Sequence, residues 1–153
     1  MTSAATGPTS RSKNDALFDS GILIQYLRGN RRAADLLNQI SAHGVLSISV
    51  VTVTEILVGA IDETHRAAAY EVIRAAEIIP VTLDVAEKAA ALIRKYPPLF
   101  GKGISRGIAD AFIGATAWSL SLPLYTLDTR DFVRATIAEF SIHPINPADT
   151  SWK

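Results

Sequence analysis

Short apolar runs of β character alternate along this chain with longer stretches of helical periodicity, and that alternation constrains the fold more than any other feature. The runs fall at 16–18, 46–49, 78–81 and 124–126, with a weaker one at 140–145. Between them, 31–41 places Ala34, Leu37 and Ile40 on one stripe, and 63–77 carries Ala69, Val72, Ile73 and Ala76 at the same spacing. The pattern continues over 84–96 and stops at Pro97 and Pro98; the glycines of 100–107 then mark a loop before a last helix over about 108–120. Strands alternating with helices predict an α/β fold of three layers, a central parallel sheet of four to five strands flanked by helices.

The 153 residues suffice for one domain. Residues 1–14 are small and polar apart from Arg11 and Lys13, lack the apolar segment of a secretory signal, and are expected to form a flexible N-terminal tail. The domain is expected over 15–148, with a short C-terminal tail at 149–153. Cysteine is absent, which excludes disulfides, thiolate zinc sites and cysteine nucleophiles and is compatible with a cytoplasmic location. The apolar runs are too short to span a bilayer, so no membrane association is expected. Lys plus Arg equals Asp plus Glu, at 15 each, so a nucleic-acid role would need local charge or a bound cation.

Four acids occupy costly positions. Asp19, Glu55, Asp110 and Asp128 lie within or at the end of apolar stretches, where a carboxylate needs a partner, hydrogen bonds or a metal. Asp19 directly follows the first strand, and Asp128 holds the equivalent place after a later one. Ligands of open α/β sheets bind at the carboxyl ends of strands, so all four acids would converge at one sheet edge if those strands are neighbours. Carboxylates about 4 Å apart repel by about 4 kcal/mol at an effective dielectric near 20, and a divalent cation reverses that sign. An all-oxygen donor set without Cys or paired His suits Mg²⁺ or Mn²⁺ better than zinc. Ser20 and Thr126 stand one and two residues from Asp19 and Asp128, where their hydroxyls can orient a carboxylate or a water. Each acid also has a plainer reading. Asp19 and Asp128 can cap helices, Asp110 can be a first-turn acid, and Thr52, Thr54 and Glu55 can form a solvated polar stripe.

The strings LFDSGILI (17–24), VTEILVG (53–59), IADAFIGATA (108–117) and YTLDTRDF (125–132) resemble the PIN-domain ribonucleases, and most closely toxins of the VapC type from toxin–antitoxin pairs. The likeness covers about 16–147. It implies a PIN-like fold and a magnesium-dependent endoribonuclease that hydrolyses RNA phosphodiester bonds. It further implies Asp19 and Asp110 as the principal Mg²⁺ ligands, Glu55 and Asp128 completing the acidic pocket, and Ser20 and Thr126 as the supporting hydroxyls. Asp131 also matches an acid of the last motif, which leaves the fourth acid open between Asp128 and Asp131. Gly21 departs from the family pattern, where a polar residue is common. The partners implied are RNA, a cognate antitoxin and a second copy of the chain in a homodimer. The helix after Asp19, with Ile22, Leu23, Tyr26 and Leu27, is either a wall of the antitoxin groove or core.

Lys102 and Arg106, in the glycine-rich segment before Asp110, are candidates for contact with a substrate phosphate, or are solvated loop residues. Arg28, Arg31 and Arg32 form a small basic cluster after the first helix. His43, His65 and His143 show no ligand spacing and are expected to be incidental, and Trp118 is expected in the core, with a dimer interface as the second reading. Two other functions remain open at this stage, phosphatase or phosphotransfer chemistry on another α/β sheet and a catalytically silent binding module. A haloacid-dehalogenase-type site needs Asp-x-Asp where this chain has Gly21, and a receiver-type site needs a Lys that 131–149 lacks.

Overall fold

A computed structural model describes residues 10–100, 104–127 and 137–144. Its strands, β1 (Ala16–Phe18), β2 (Leu46–Ser49), β3 (Glu77–Ile79), β4 (Leu124–Thr126) and β5 (Ile142–Pro144), form one parallel sheet in the order β3-β2-β1-β4-β5. The chain starts in the centre, builds outward through β2 and β3, then returns to the other side of β1 for β4 and β5. Between β1 and β4 the strand order reverses, and this reversal opens a crevice at the carboxyl ends of the two strands.

Alternation along β1 assigns the two faces. Ala16 and Phe18 point into a core made with α1 (Ser20–Leu27), α2 (Arg31–His43), α3 (Val50–Gly59) and α4 (Glu63–Ala75), which contribute Ile22, Leu37, Ile56 and Val72 among others. Leu17 points into the opposite core with α5 (Leu83–Lys95), the short α6 (Pro97–Phe100) and α7 (Ile104–Leu120), where Leu92, Ile113 and Leu124 are buried. All three residues of β1 are buried, as a central parallel strand covered on both sides requires.

Side-chain caps start helices both after strands and after preceding helices. Asn30 accepts from the Ala33 N–H at 3.1 Å, Ser49 from Val51 at 3.1 Å, Asp62 from His65 at 2.8 Å and Thr82 from Val85 at 3.3 Å. Several boundaries differ from the sequence expectation, among them β5, which is Ile142–Pro144 rather than 140–145. Strand β3 is Glu77–Ile79 rather than 78–81, because Pro80 has no N–H to give to the ladder. Pro97 opens a further helical turn, α6, where a stop and then a loop were expected, since proline is well suited to a first helical position. Helix α7 starts at Ile104, so residues 104–107, expected as loop, are helical; Gly107 lies so close to Phe100 that a Cβ there would meet its carbonyl oxygen at 1.8 Å.

The segment expected as a tail is held down over its described part. Arg11 makes a two-pronged ion pair with Glu77 at 2.9 and 3.1 Å, and the Asn14 side chain donates to the His43 carbonyl at 3.1 Å. Asp15 is buried, and its carboxylate accepts from the N–H groups of Ser12 at 2.9 Å and Val45 at 2.8 Å, which fixes the entry into β1 against the start of β2. At the other end, Glu139 joins Lys95 at 2.5 Å and Tyr96 Oη at 2.8 Å, tying the approach to β5 onto α5.

Gly44 has an extended backbone, yet a Cβ on it would come within 2.2 Å of the Asn14 carbonyl oxygen, whereas nothing lies within 4 Å of one on Gly59. Gly44→Ala should therefore lower the urea midpoint clearly, by about 1–3 kcal/mol in stability. Gly59→Ala should leave it unchanged or raise it by up to about 1 kcal/mol. Equal midpoints for the two variants would contradict the close approach of 10–15 to α2.

Candidate active site

Asp19 is the last residue before α1 and sits at the crevice between β1 and β4. Its backbone N–H donates to the Tyr125 carbonyl at 3.0 Å, continuing the ladder one step beyond Phe18. The side chain is 8% exposed, and its two oxygens have different partners. Oδ1 accepts the Ser20 backbone N–H at 2.7 Å, and the Ser20 hydroxyl stands 3.5 Å from the same atom. Oδ2 accepts from the Thr126 hydroxyl at 2.8 Å, across 107 residues of sequence. Helix cap and site residue, set against each other on sequence, are thus the same residue: Asp19 caps α1 and is held at the crevice by β4.

Glu55 reaches this place from α3. It is half-buried, and its Oε2 is sealed from solvent without a hydrogen-bond partner. Burial raises its pKa above the ordinary glutamate value; the Ser20 hydroxyl acts in the opposite direction, and the negative charge of Asp19 adds to the rise. Thr52, one turn earlier on α3, is fully buried and its hydroxyl also lacks a partner. The solvated stripe considered for Thr52, Thr54 and Glu55 is therefore not formed. Only Thr54 is exposed, and it donates back to the Val50 carbonyl at 3.3 Å. The burial of Thr52 is not legible in the sequence, where alternating Val and Thr read equally well on either side.

Asp110 lies in the second turn of α7, half-exposed, so the first-turn reading does not hold. It comes from the opposite layer of the fold, on a helix that packs against α3. Among the described residues no three His, Cys, Asp or Glu side chains form a metal-sized group, so the described part of the site is the Asp19–Glu55 pair rather than the expected four-acid cluster. Asp128, Asp131 and Lys102 lie outside the described residues, as does the side chain of Arg106. Gly21, where a polar residue was noted as missing, takes up the space beside Leu127, whose Cδ1 would touch a Cβ there at 3.5 Å.

The donor chemistry fits a hard divalent cation. The pair offers carboxylate oxygens alone, one acid is oriented by hydroxyl and amide donors, and the other keeps an unpartnered buried oxygen beside it.

The remaining sequence candidates have other places. Ile22 and Leu23 are fully buried core, while Leu27, Ile24, Ile61 and Ala68 line an apolar groove of about 290 Å³ between α1, α3 and α4. Trp118 packs on the α5–α7 core and carries Lys88 Nζ 5.6 Å from its ring centroid. His43 ends α2 and His65 pairs with its cap Asp62 at 2.6 Å. His143 is exposed at the surface, as expected, and lies in β5, where its ring stacks on Tyr125. No helix among the described residues is long and apolar enough to cross a membrane.

The PIN domain family matches residues 16–138. Ribonuclease VapC10 of Mycobacterium tuberculosis is 33% identical over 116 residues, spanning 76% of this chain and 84% of the relative. A toxin–antitoxin complex from Klebsiella pneumoniae contains a chain 31% identical, covering 85% of this chain and 99% of its own length, with a TM-score of 0.67. VapBC2 from Rickettsia felis, solved bound to a DNA fragment from its promoter, has the same fold at 16% identity and a TM-score of 0.73, covering 86% of this chain and 99% of its own. Fold, motif order and sequence identity agree: the chain belongs to the PIN-domain family and is a relative of the VapC ribonucleases.

Proposed function

We propose that the chain is a magnesium-dependent endoribonuclease, the toxin of a toxin–antitoxin pair, with manganese able to replace magnesium. The observation that carries this reading is the carboxylate pair at the strand-order reversal, Asp19 oriented on both oxygens and Glu55 with a buried, unpartnered Oε2. Asp19 and Asp110 are the residues we assign to hold the cation, with Glu55 and one of Asp128 and Asp131 completing the acidic set. When bound, the cation supplies positive charge for a phosphoryl oxygen and lowers the pKa of water.

The chain's own residues set the geometry. Thr126 donates to Asp19 Oδ2 and the Ser20 N–H donates to Oδ1, so the carboxylate is fixed in place between the start of α1 and the end of β4. Glu55, whose pKa burial raises above the ordinary glutamate value, is the carboxylate we assign to accept the proton of the attacking water. Lys102 and Arg106 are assigned to the flanking phosphates of the RNA. Solved toxin–antitoxin neighbours support an antitoxin partner, and the apolar groove edged by Ile24, Leu27 and Ile61 is the kind of surface an amphipathic segment fills. Homodimerisation is part of the same proposal.

Cleavage of single-stranded RNA should disappear in excess EDTA, return with Mg²⁺, and fall by at least about 100-fold in Asp19→Asn and in Asp110→Asn. RNA cut equally well in EDTA would refute the reading, and turnover of p-nitrophenyl phosphate would favour a phosphomonoesterase instead. Thr126→Val leaves Asp19 Oδ2 short of a buried donor, so stability should drop by about 1–3 kcal/mol and cleavage should fall with it. A variant as stable and active as the parent would show that this bond does not organise the site.

Glu55 gives a signed test. Its folded-state pKa lies above the unfolded one, so the folded protein holds the proton more tightly and ionisation of Glu55 costs stability as pH rises above the ordinary glutamate range. In metal-free protein, Glu55→Gln should therefore melt higher than the parent at pH 7, with the difference shrinking toward pH 4. Added Mg²⁺ should raise the melting temperature of the parent more than that of the variant. A parent more stable than the variant at neutral pH without metal would mean that the ionised glutamate is compensated by groups other than a cation.

A further inference from the structure

Three aromatic rings stack across the sheet on the α1 side. Phe18 and Tyr125 have centroids 5.1 Å apart at 18°, and Tyr125 and His143 have centroids 4.8 Å apart at 10°. The ladder follows the strand register, Phe18 opposite Tyr125 and Tyr125 opposite His143. Phe18 is fully buried, Tyr125 is half-buried, and His143 is exposed on the edge strand. Among the described residues β5 is the edge of the sheet, so the series ends in the exposed ring of His143.

This exposed ring lies beside the proposed catalytic crevice. The residue after Tyr125 is Thr126, which holds Asp19, and the residue after Phe18 is Asp19 itself. Strands are about 4.8 Å apart, so β5 runs about 10 Å from β1 and a ring stacked beyond it about 14 Å, a reach of about two nucleotides from the acid pair. A single-stranded RNA lying over the carboxyl ends of the strands would cross β5 there. Nucleobases stack on aromatic faces, and recognition of this kind tolerates any base because each has a π-face. The chain's net charge is zero, so stacking adds affinity that a global field does not supply.

We propose that the outer face of His143 is a platform on which a base of single-stranded RNA, about two nucleotides from the cut, stacks as the fourth ring of the Phe18–Tyr125–His143 ladder. This rests on the endoribonuclease reading above. His143 touches no reacting atom in this proposal, and its role is to position substrate.

The test compares His143→Ala and His143→Phe in the full chain. Anisotropy of a short fluorescent RNA of random sequence would be followed in an Asp19→Asn background, and cleavage kinetics in the parent. His143→Ala should weaken RNA binding about tenfold and raise KM with little change in kcat. His143→Phe should bind within about twofold of the parent, because it keeps the ring and discards the nitrogens. Unchanged affinity and KM in His143→Ala would overturn the platform while leaving the nuclease reading intact. Losses as large in His143→Phe as in His143→Ala, at an unchanged melting temperature, would also overturn it, since the contact would then run through an imidazole nitrogen. A parent protein that neither cuts nor binds RNA would remove the endoribonuclease reading and the platform with it.

Discussion

The hydrogen bond from Thr126 to Asp19 joins two strands that are adjacent in the sheet and 107 residues apart in the chain. It can form only if the chain leaves β1 in one direction and returns on its other side as β4, and that reversal is also what opens the crevice. Asp19 serves fold and site together: as the first cap it starts α1 on one oxygen, and it receives β4 on the other. Both tasks use a carboxylate oxygen as the acceptor.

Glu55 shows the opposite use of a carboxylate. Its Oε2 is buried without a donor, next to a like charge, in a helix rich in valine, isoleucine and leucine. A group in that state costs stability unless something neutralises it. Asp15 provides the contrast within the same protein, since it is as buried as Asp19 but has the N–H groups of Ser12 and Val45 on its two oxygens. Asp15 fastens the entry to β1 and needs no ligand. What separates a structural acid from a candidate ligand here is the balance of donors around it, not burial alone.

The packing of the two layers places these groups. Leu17 and Phe18 face opposite cores on successive residues, so Asp19 emerges at the end of a strand that neither layer can release. Glu55 enters from the α1–α4 layer and Asp110 is carried by α7 of the other, with α3 and α7 in contact. The same alternation that buries Phe18 and half-buries Tyr125 on one face leaves His143 exposed, on the strand that is the sheet's edge among the described residues.

Much of this was legible in the residues themselves. Strands at 16–18, 46–49 and 124–126 were readable from short apolar runs bounded by Asp, Ser and Pro, and the strand–helix alternation determined a parallel sheet. Asp19 and Glu55 stood out because charge within apolar sequence is costly wherever the chain folds. The boundaries at Pro80, Pro97 and Ile104 were less legible, since local propensity is decided against packing partners such as Phe100 that lie elsewhere in the chain. Only the tertiary structure decided that Asp19 is both cap and site, that Thr52 is buried while Thr54 is exposed, and that His143 ends an aromatic ladder. Those outcomes depend on strand order and on which side of a strand meets a helix, and neither is encoded in the spacing of residues along the chain.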